Sequence, residues 1–360
     1  MKKIGAFLRG KGFEFLFMIF SVLSVGYVTN RVSRMLYAFF SKDLSVWILL
    51  FLVLLLGYMF LYIKCKKEMK KTRNLYEGCS VILCFLLYLV MCLWVYDLIT
   101  LFVSINQDRF YILPVIASIL ITFYGFVHAK KLYIQKYSMP ISAFKKTILL
   151  SDIHVGTFVD LNQLERIVQK VNSLHPKRIV IAGDLFDVEA FAYCDTQAIA
   201  KILSKLEAKE VYASLGNHDP DSNTQAIKDF YQETGIRLLI DEGIETEDAL
   251  ILGRDDITTN PNRLPLSSLI SKRTKPILVI DHNPLGIQEA VSEGVACVVC
   301  GHTHRGQFFP ANLFTKLAYG TNEFYGYHTI GNTLAVISSG AGFFQMPMRI
   351  GSNSEIVVLE

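Results

Sequence analysis

Two patterns of apolar and polar positions divide the chain. Over roughly the first 130 residues the apolar positions run together, in stretches at about 13–28, 46–63, 79–96 and 111–128. Each is close to the roughly 20 residues that cross a bilayer core as a helix. From about Lys146 onward the apolar runs become short and end abruptly in polar residues: "TILLSDIH", "RIVIAGDLFD", "VYASLGNHD", "ILVIDH" and "ACVVCGHTH". Their length and β-branching predict strands. Amphipathic stretches at helical spacing, 161–174 and 196–208, separate the first three, and 283–293 separates the last two. Strand–helix–strand alternation predicts a largely parallel sheet covered by helices, with the loops at the carboxyl ends of the strands gathered on one edge.

Composition sharpens this division. The chain is 52% hydrophobic and 19% charged, too apolar for an ordinary soluble protein, and the excess lies in the first part. Lys2, Lys3, Arg9 and Lys11 precede the first run as in a signal peptide, but no small-residue cleavage site follows and three more runs do. The reading is a retained transmembrane domain of about four helices over 1–135, a linker over 136–145 and a catalytic domain over 146–360. The basic segment "KCKKEMKKTR" and the lysines 130, 131, 136, 145 and 146 contrast with a nearly neutral loop between runs three and four. That bias places the catalytic domain on the cytoplasmic face of the cell membrane, although Arg31, Arg34 and Lys42 run against it. Asp97, directly after the third run, marks a helix end at the interface. The net charge of +4 comes with no concentrated basic stripe in the soluble part, which argues against a nucleic-acid partner. The seven cysteines form no recognisable disulfide framework. Cys194, Cys297 and Cys300 read as reduced thiols, and the last two, three apart on a strand, face opposite sides.

The strand-end residues carry the chemistry. Five of the eight histidines lie in these blocks, with Asp152, Asp184 and Asn217. Two divalent ions about 3.5–4 Å apart can clamp a phosphate and turn a bridging water into hydroxide near neutral pH. A carboxylate must sit between such ions, and Asp184 is suitably placed. Neutral imidazoles and an amide oxygen complete the shells without excess negative charge.

In this order the blocks "DIH … GD … GNHD … H … GHTH" resemble the calcineurin-like metallophosphoesterases, over about Lys146 to Glu360. The resemblance implies a four-layer α/β/β/α sandwich preceded by the helical membrane domain, and two divalent metal ions, manganese first, iron or zinc as alternatives. It implies that Asp152, His154 and His304 hold one metal, that Asn217, His282 and His302 hold the other, and that Asp184 bridges them. His218 would assist the departing oxygen, oriented by Asp219. The combination of membrane helices with "GHTH-x-GQ" resembles a membrane-associated bacterial branch, some members of which are tied to UDP-diacylglucosamine hydrolysis. Arg305 stands where that branch's pattern has glycine. Arg305 and Arg254, in "GRDD", are candidate contacts for a substrate phosphate.

Bilayer anchoring and the aromatic-rich segments 308–328 and 342–349 point to a lipid-linked or membrane-proximal phosphodiester or pyrophosphate substrate. Aromatics next to Lys316 and Arg349 in those segments would dip into the headgroup region and admit acyl chains. A soluble nucleotide or phosphoester substrate, and a non-catalytic metal-binding scaffold or sensor, are the alternatives.

Overall fold

The computed structural model describes residues 11–64, 73–103, 107–187, 189–270 and 274–360. The basic residues Lys2, Lys3 and Arg9, and most of the basic segment after the second apolar run (65–72), lie outside them. The described chain forms two compact units, one made by the helices up to Val127, the other holding His128–Phe344 and Arg349–Glu360.

Each apolar run of the first part falls in a helix: α1 (Lys11–Phe40), α2 (Ser45–Lys64), α3 (Arg73–Thr100) and α4 (Ile112–Ala129). Among the described residues two helical stretches, Asn74–Thr100 and Asp108–Ala129, are long and apolar enough to cross a membrane, while Ser45–Leu61 is apolar but shorter. Among the described residues, length and composition thus single out two candidate crossings within the helical part. The arginines that oppose the charge bias are not in a loop, because α1 continues past them to Phe40. Arg31 pairs with Asp97 at 2.8 Å and Arg34 with Asp108 at 2.7 Å. Asp97 sits in the last turns of α3, where the hydroxyls of Tyr27 and Tyr111 also donate to it, at 2.6 and 3.0 Å. Paired charges of this kind carry less topological weight than free ones.

The second unit alternates strands and helices. Its first half runs β1 (Leu132–Tyr137), β2 (Thr147–Leu150), α5 (Leu161–Asn172), β3 (Arg178–Ala182), α6 (Thr196–Leu203), β4 (Glu210–Ser214), α7 (Gln225–Thr234) and β5 (Arg237–Leu238). Its second half runs β6 (Glu242–Glu245), β7 (Leu250–Gly253), β8 (Ile277–Ile280), α8 (Ile287–Ser292), β9 (Cys297–Cys300), α9 (Ala311–Tyr319), β10 (Gly326–Ile330), β11 (Thr333–Ile337) and β12 (Ser354–Leu359). They form two six-stranded sheets, ordered β1-β12-β2-β3-β4-β5 and β10-β11-β9-β8-β7-β6. The central neighbours β2, β3 and β4, and likewise β7, β8, β9 and β11, are parallel. β1 lies in the stretch read from sequence as the end of the helical part and the linker. Its residues 132–137 pair in parallel with β12, so the α/β unit begins well before Lys146.

Strand alternation builds the layers. Ile148, Leu150, Ile179 and Ile181 face a core shared with Leu164, Ile167 and Val171 of α5 and with Ile227 and Phe230 of α7. Their neighbours Leu149, Val180 and Ala182 face Leu278, Ile280, Val299 and Val336 of the other sheet. Val279, Val298, Ala335 and Ile337 face Ile287 and Ala290 of α8. Helix, sheet, sheet, helix is the result, and a one-residue register slip would exchange residues between two differently packed cores. Cys297 joins the inter-sheet core and Cys300 the outer one, both fully buried, with burial raising both thiols well above the usual range.

A buried arginine ties the sheets at the edge opposite the ligand loops. Arg178, at the start of β3, is fully buried and donates to Glu210 at 2.6 Å, the Ala143 carbonyl at 2.9 Å and Asp248 at 2.9 Å. Asp248 belongs to the β6–β7 turn of the second sheet and also accepts from Lys177. Burial acts to raise its carboxyl, but the hydrogen bonds from Lys177 and Arg178 outweigh it and hold the group at about 2. Replacing Arg178 by Leu is expected to cost about 3 kcal/mol, because it removes a buried guanidinium and leaves the partly buried Glu210 and Asp248 without their partner. Asp248's depressed value means that its contribution is fully present above about pH 4 and is lost as pH falls through about 2. Thermal unfolding of the detergent-solubilised chain at pH 7 and at pH 2.5 checks this. The gap between wild type and variant should narrow in acid, and an equal gap at both values would count against it.

Candidate metal centre

The strand order delivers the polar residues to one edge. Asp152 and His154 follow β2, Asp184 follows β3, Asn217 and His218 follow β4, His282 follows β8, and His302 and His304 follow β9. These strands are central in their sheets, so their carboxyl ends meet where the sheets face each other.

The loops hold strained backbone there. Asp152, His154, Asp184, His302 and His304 all have left-handed φ, between 49° and 69°. Such conformations persist only where the surroundings impose them, and they gather at functional sites. Two glycines allow the close approach. A Cβ at Gly216 would collide with the Asp184 carboxylate, and one at Gly301 would collide with the Asp152 carboxylate and come 2.7 Å from Ser151 Cβ.

Side-chain atoms converge in two overlapping groups. In the first, His304 Nε2 lies 3.1 Å from His154 Nε2 and 3.3 Å from Asp152 Oδ1. In the second, His302 Nδ1 lies 2.8 Å from Asn217 Oδ1 and 3.3 Å from His282 Nε2, which is itself 3.2 Å from Asn217 Oδ1. Asp184 Oδ2 reaches both, 3.6 Å from His154 Nε2 and 3.2 Å from His282 Nε2. Asp152, His154 and His304, and likewise Asp152, Asp184 and His282, have donor atoms all within 4.8 Å of one another.

This donor set fits cations. His282 Nδ1 is 2.8 Å from the Ala182 carbonyl, which can only accept, so in the neutral ring Nε2 carries a lone pair. That lone pair faces an amide oxygen, a carboxylate oxygen and another imidazole nitrogen. Acceptors crowded against acceptors repel unless positive charge lies among them. The electrostatics agree: burial lowers His154 to about 3 and His302 to about 4, and holds His304 well below the usual imidazole range, so all three stay neutral. Burial opposes charge on His282 as well, but the Asp184 carboxylate outweighs it and raises that ring, so a proton stands in for the cation. Burial raises Asp152 to about 6.

His218 lies at the mouth, with 21% of its side chain exposed. Its backbone N–H donates to Asp184 Oδ1 at 2.9 Å and its Nε2 is 4.0 Å from Asp184 Oδ2. Asp219 has another task besides any effect on His218. Its two oxygens accept from the backbone of Phe186 and Gly216, at 3.0 and 2.9 Å, so it locks the β3 and β4 loops together.

The two arginines named from sequence are placed differently. Arg305 has φ 52° and ψ 30°, a conformation natural to glycine, and its guanidinium lies 4.4 Å over the Tyr325 ring. Arg254 is buried, not on the surface. It donates to the Leu264 carbonyl at 2.7 Å and pairs with Asp241 and Glu289. Arg349, in the segment whose aromatics were expected at the headgroup region, is fully buried and donates to the carbonyls of Ser339 and Gly342, both at 2.6 Å. Sequence reasoning missed Phe344, whose ring lies 4.5 Å from that of His218 and 5.2 Å from that of His154. Gln307 holds it in place, accepting from the Phe344 N–H at 2.8 Å and donating to its carbonyl at 3.0 Å. The only signal for this was the glutamine of the "GHTH-x-GQ" block.

Residues 145–306, which contain all these strand-end positions except Phe344, match the family described as Calcineurin-like phosphoesterase. This part of the chain is a calcineurin-like metallophosphoesterase domain. Relatives of the chain include the Danio rerio protein named "Transmembrane protein with metallophosphoesterase domain", 29% identical over 282 residues, covering 71% of this chain and 63% of that protein. An "Uncharacterized metallophosphoesterase" of Helicobacter pylori is 30% identical over 228 residues, 59% of each chain. "Phosphodiesterase YaeI" of Escherichia coli is 26% identical over 227 residues, 60% of this chain and 81% of that one. The chain spans only about three fifths of the first two of these relatives. The metallophosphoesterase domain thus carries Asp and His groups fitted to a dinuclear divalent centre, and two apolar helices together with the relatives' names suggest association with a membrane.

Proposed function

We propose that this protein is a multi-pass, membrane-anchored dinuclear-metal phosphoesterase that hydrolyses a phosphodiester or pyrophosphate bond of a lipid-linked or membrane-proximal substrate. The carrying observation is the sharing of Asp184 between two ligand groups, 3.6 Å from His154 and 3.2 Å from His282. In this reading Asp152, His154 and His304 hold one cation, Asn217, His282 and His302 the other, and Asp184 bridges. Two such cations would neutralise phosphoryl charge and acidify water. The mixed nitrogen and oxygen donors suit manganese, iron or zinc alike.

The remaining steps belong to the chain. His218, at the mouth and braced by Phe344, delivers a proton to the departing oxygen, and Asp219 fixes its loop. The diester reading draws support from the name of the Escherichia coli relative. The membrane-proximal reading draws support from α9, none of whose residues is buried, and from the exposed Leu313, Phe314 and Leu317 on it. Tyr319, at its end, lies 5.9 Å from the His302 ring, so this apolar helix adjoins the candidate centre.

The test is purification in detergent with Mn²⁺, followed by turnover of bis-p-nitrophenyl phosphate and a panel of lipid pyrophosphates and soluble nucleotides. Turnover that EDTA abolishes and Mn²⁺ restores is expected, with the highest kcat/KM on a lipid-linked substrate. Preference for a soluble nucleotide would make the membrane only an address. Two bound metals without any turnover would favour a scaffold. Protease accessibility in intact cells checks the expected cytoplasmic side.

A further inference from the structure

The edge that gathers the metal donors also gathers the exposed apolar surface of the α/β unit. Helix α9 is the clearest case. Its half-buried side holds Ala311, Asn312, Thr315 and Ala318, all small or polar. That side packs on the loop carrying His304, where the Asn312 Cα stands 2.2 Å from the position a Cβ on Gly306 would take. The outward side holds Leu313, Phe314 and Leu317, which are 51%, 42% and 60% exposed. A helix on a water-facing surface has the reverse arrangement, with its apolar stripe turned to the core.

The rest of the unit repeats the bias. Among its described residues, the other exposed large apolar side chains are Leu161, Leu264, Leu285 and Phe309. Each lies on a segment that leaves the carboxyl end of a strand, β2, β7, β8 and β9 in turn. At the opposite edge the strands begin after charged residues instead: Lys146, Lys177, Lys209 and Lys275 lead into β2, β3, β4 and β8. Single exposed apolar side chains are ordinary, but a one-sided gathering marks a surface that something covers.

The path of the chain identifies the cover. The candidate crossing Asp108–Ala129 ends two residues before β1 begins. Leu132 of β1 pairs with Ser354, the first residue of β12, and β12 runs antiparallel to β2. Ser354 therefore lies at the end of the sheet from which Asp152 leaves. Its hydroxyl donates to the Ala129 carbonyl at 2.7 Å, which fixes the entry point there. A helix apolar enough to cross a bilayer thus hands the chain to the metal edge. The exposed Lys130 and Lys131 stand at this entry, and Lys316 stands on the outward side of α9 beside Leu317. Ammonium groups next to an apolar face complement anionic lipid headgroups.

We propose that α9 is an interfacial helix that lies in the headgroup layer of the anchoring bilayer, with Leu313, Phe314 and Leu317 among the acyl chains. The metal edge then faces the lipid surface, and a lipid phosphate reaches the candidate centre without leaving the headgroup layer. The inference rests on the membrane-anchored reading above but not on its chemistry, so the test needs neither metal nor turnover. The two tryptophans of the chain, Trp47 and Trp94, lie in the helical part and are replaced by Phe. Leu317→Trp is then added, and the full chain is placed in nanodiscs of phosphatidylcholine and phosphatidylglycerol, with or without bromine on the acyl chains. With the apolar face about 5–10 Å into the boundary of headgroups and acyl chains, this reporter should emit in the blue and lose about half its emission or more to bromine. Leu313→Trp should repeat that result. Lys209→Trp, at the opposite edge, should emit in the red and lose almost nothing. All three positions are exposed, so the melting temperatures should match that of the tryptophan-free parent. A Leu317 reporter that bromine leaves bright, whether water or another protein chain covers α9, would overturn the proposal, and so would equal quenching at position 209. Quenching without turnover of any phosphoester would strike the phosphoesterase reading alone. Turnover of a lipid-linked substrate without quenching would strike the docking alone.

Discussion

Asp184→Asn is expected to lower kcat on bis-p-nitrophenyl phosphate by at least about 10³-fold, which corresponds to about 4 kcal/mol of lost transition-state stabilisation. Asp184 is 1% exposed and lies between the two donor groups, so its carboxylate is the one negative charge that both cations of the proposed centre would share. An amide has the same shape and keeps an oxygen to accept the His218 N–H, so the β3 and β4 loops should remain in place. What disappears is the charge that offsets repulsion between two divalent ions about 3.5–4 Å apart. Metal content by mass spectrometry should therefore fall from two per chain to one or fewer. In EDTA at neutral pH the melting temperature should fall, because buried His282 loses the carboxylate that holds its proton, while the Asn oxygen still accepts from the His218 N–H. A variant that retains two metals and more than a tenth of the rate would remove Asp184 from the bridging position.

The edge where these residues meet was legible because each strand is short, β-branched and followed at once by its polar residue. Parallel strands deliver such residues to a common edge whatever the details of the helices between them. What the sequence concealed depends on partners far along the chain. The Asp152 carboxylate accepts from the backbone of His302, 150 residues away, at 3.0 Å, and no local spacing encodes that contact. β1 reads as "LYIQKY", a mixed stretch beside a basic segment, and only its parallel partner β12 makes it a strand. Arg254, expected against a substrate phosphate, and Arg349, in a segment expected at the membrane, are both buried, which arginine rarely is without partners. Carbonyls from Leu264, Ser339 and Gly342 supply those partners here, and none belongs to a recognisable motif. The position of Arg305 shows the converse. Its left-handed backbone explains why glycine was expected there, and an arginine tolerates it at a cost of about 1–2 kcal/mol, with the Tyr325 ring under its guanidinium.

His218→Ala should separate chemistry from metal binding. The side chain is partly exposed, lies 4.0 Å from Asp184 at its nearest oxygen, and in the proposed ligand sets holds neither cation. Two metals per chain should therefore persist, while kcat falls by about 10²–10⁴-fold, the usual contribution of a positioned general acid. The loss should depend on the leaving group. p-Nitrophenolate departs without much help, so the deficit on bis-p-nitrophenyl phosphate should be the smaller one. An alkyl or phosphoryl leaving group of a lipid-linked substrate needs the proton more and should show the larger deficit. Phe344, whose ring lies 4.5 Å from His218, loses a stacking surface in the variant, but at a site open to solvent this should cost only about 1 kcal/mol of stability. Equal losses on both classes of substrate would mean that His218 steadies the phosphate rather than the departing oxygen. Loss of a metal would instead place the ring among the ligands and redraw the centre around it.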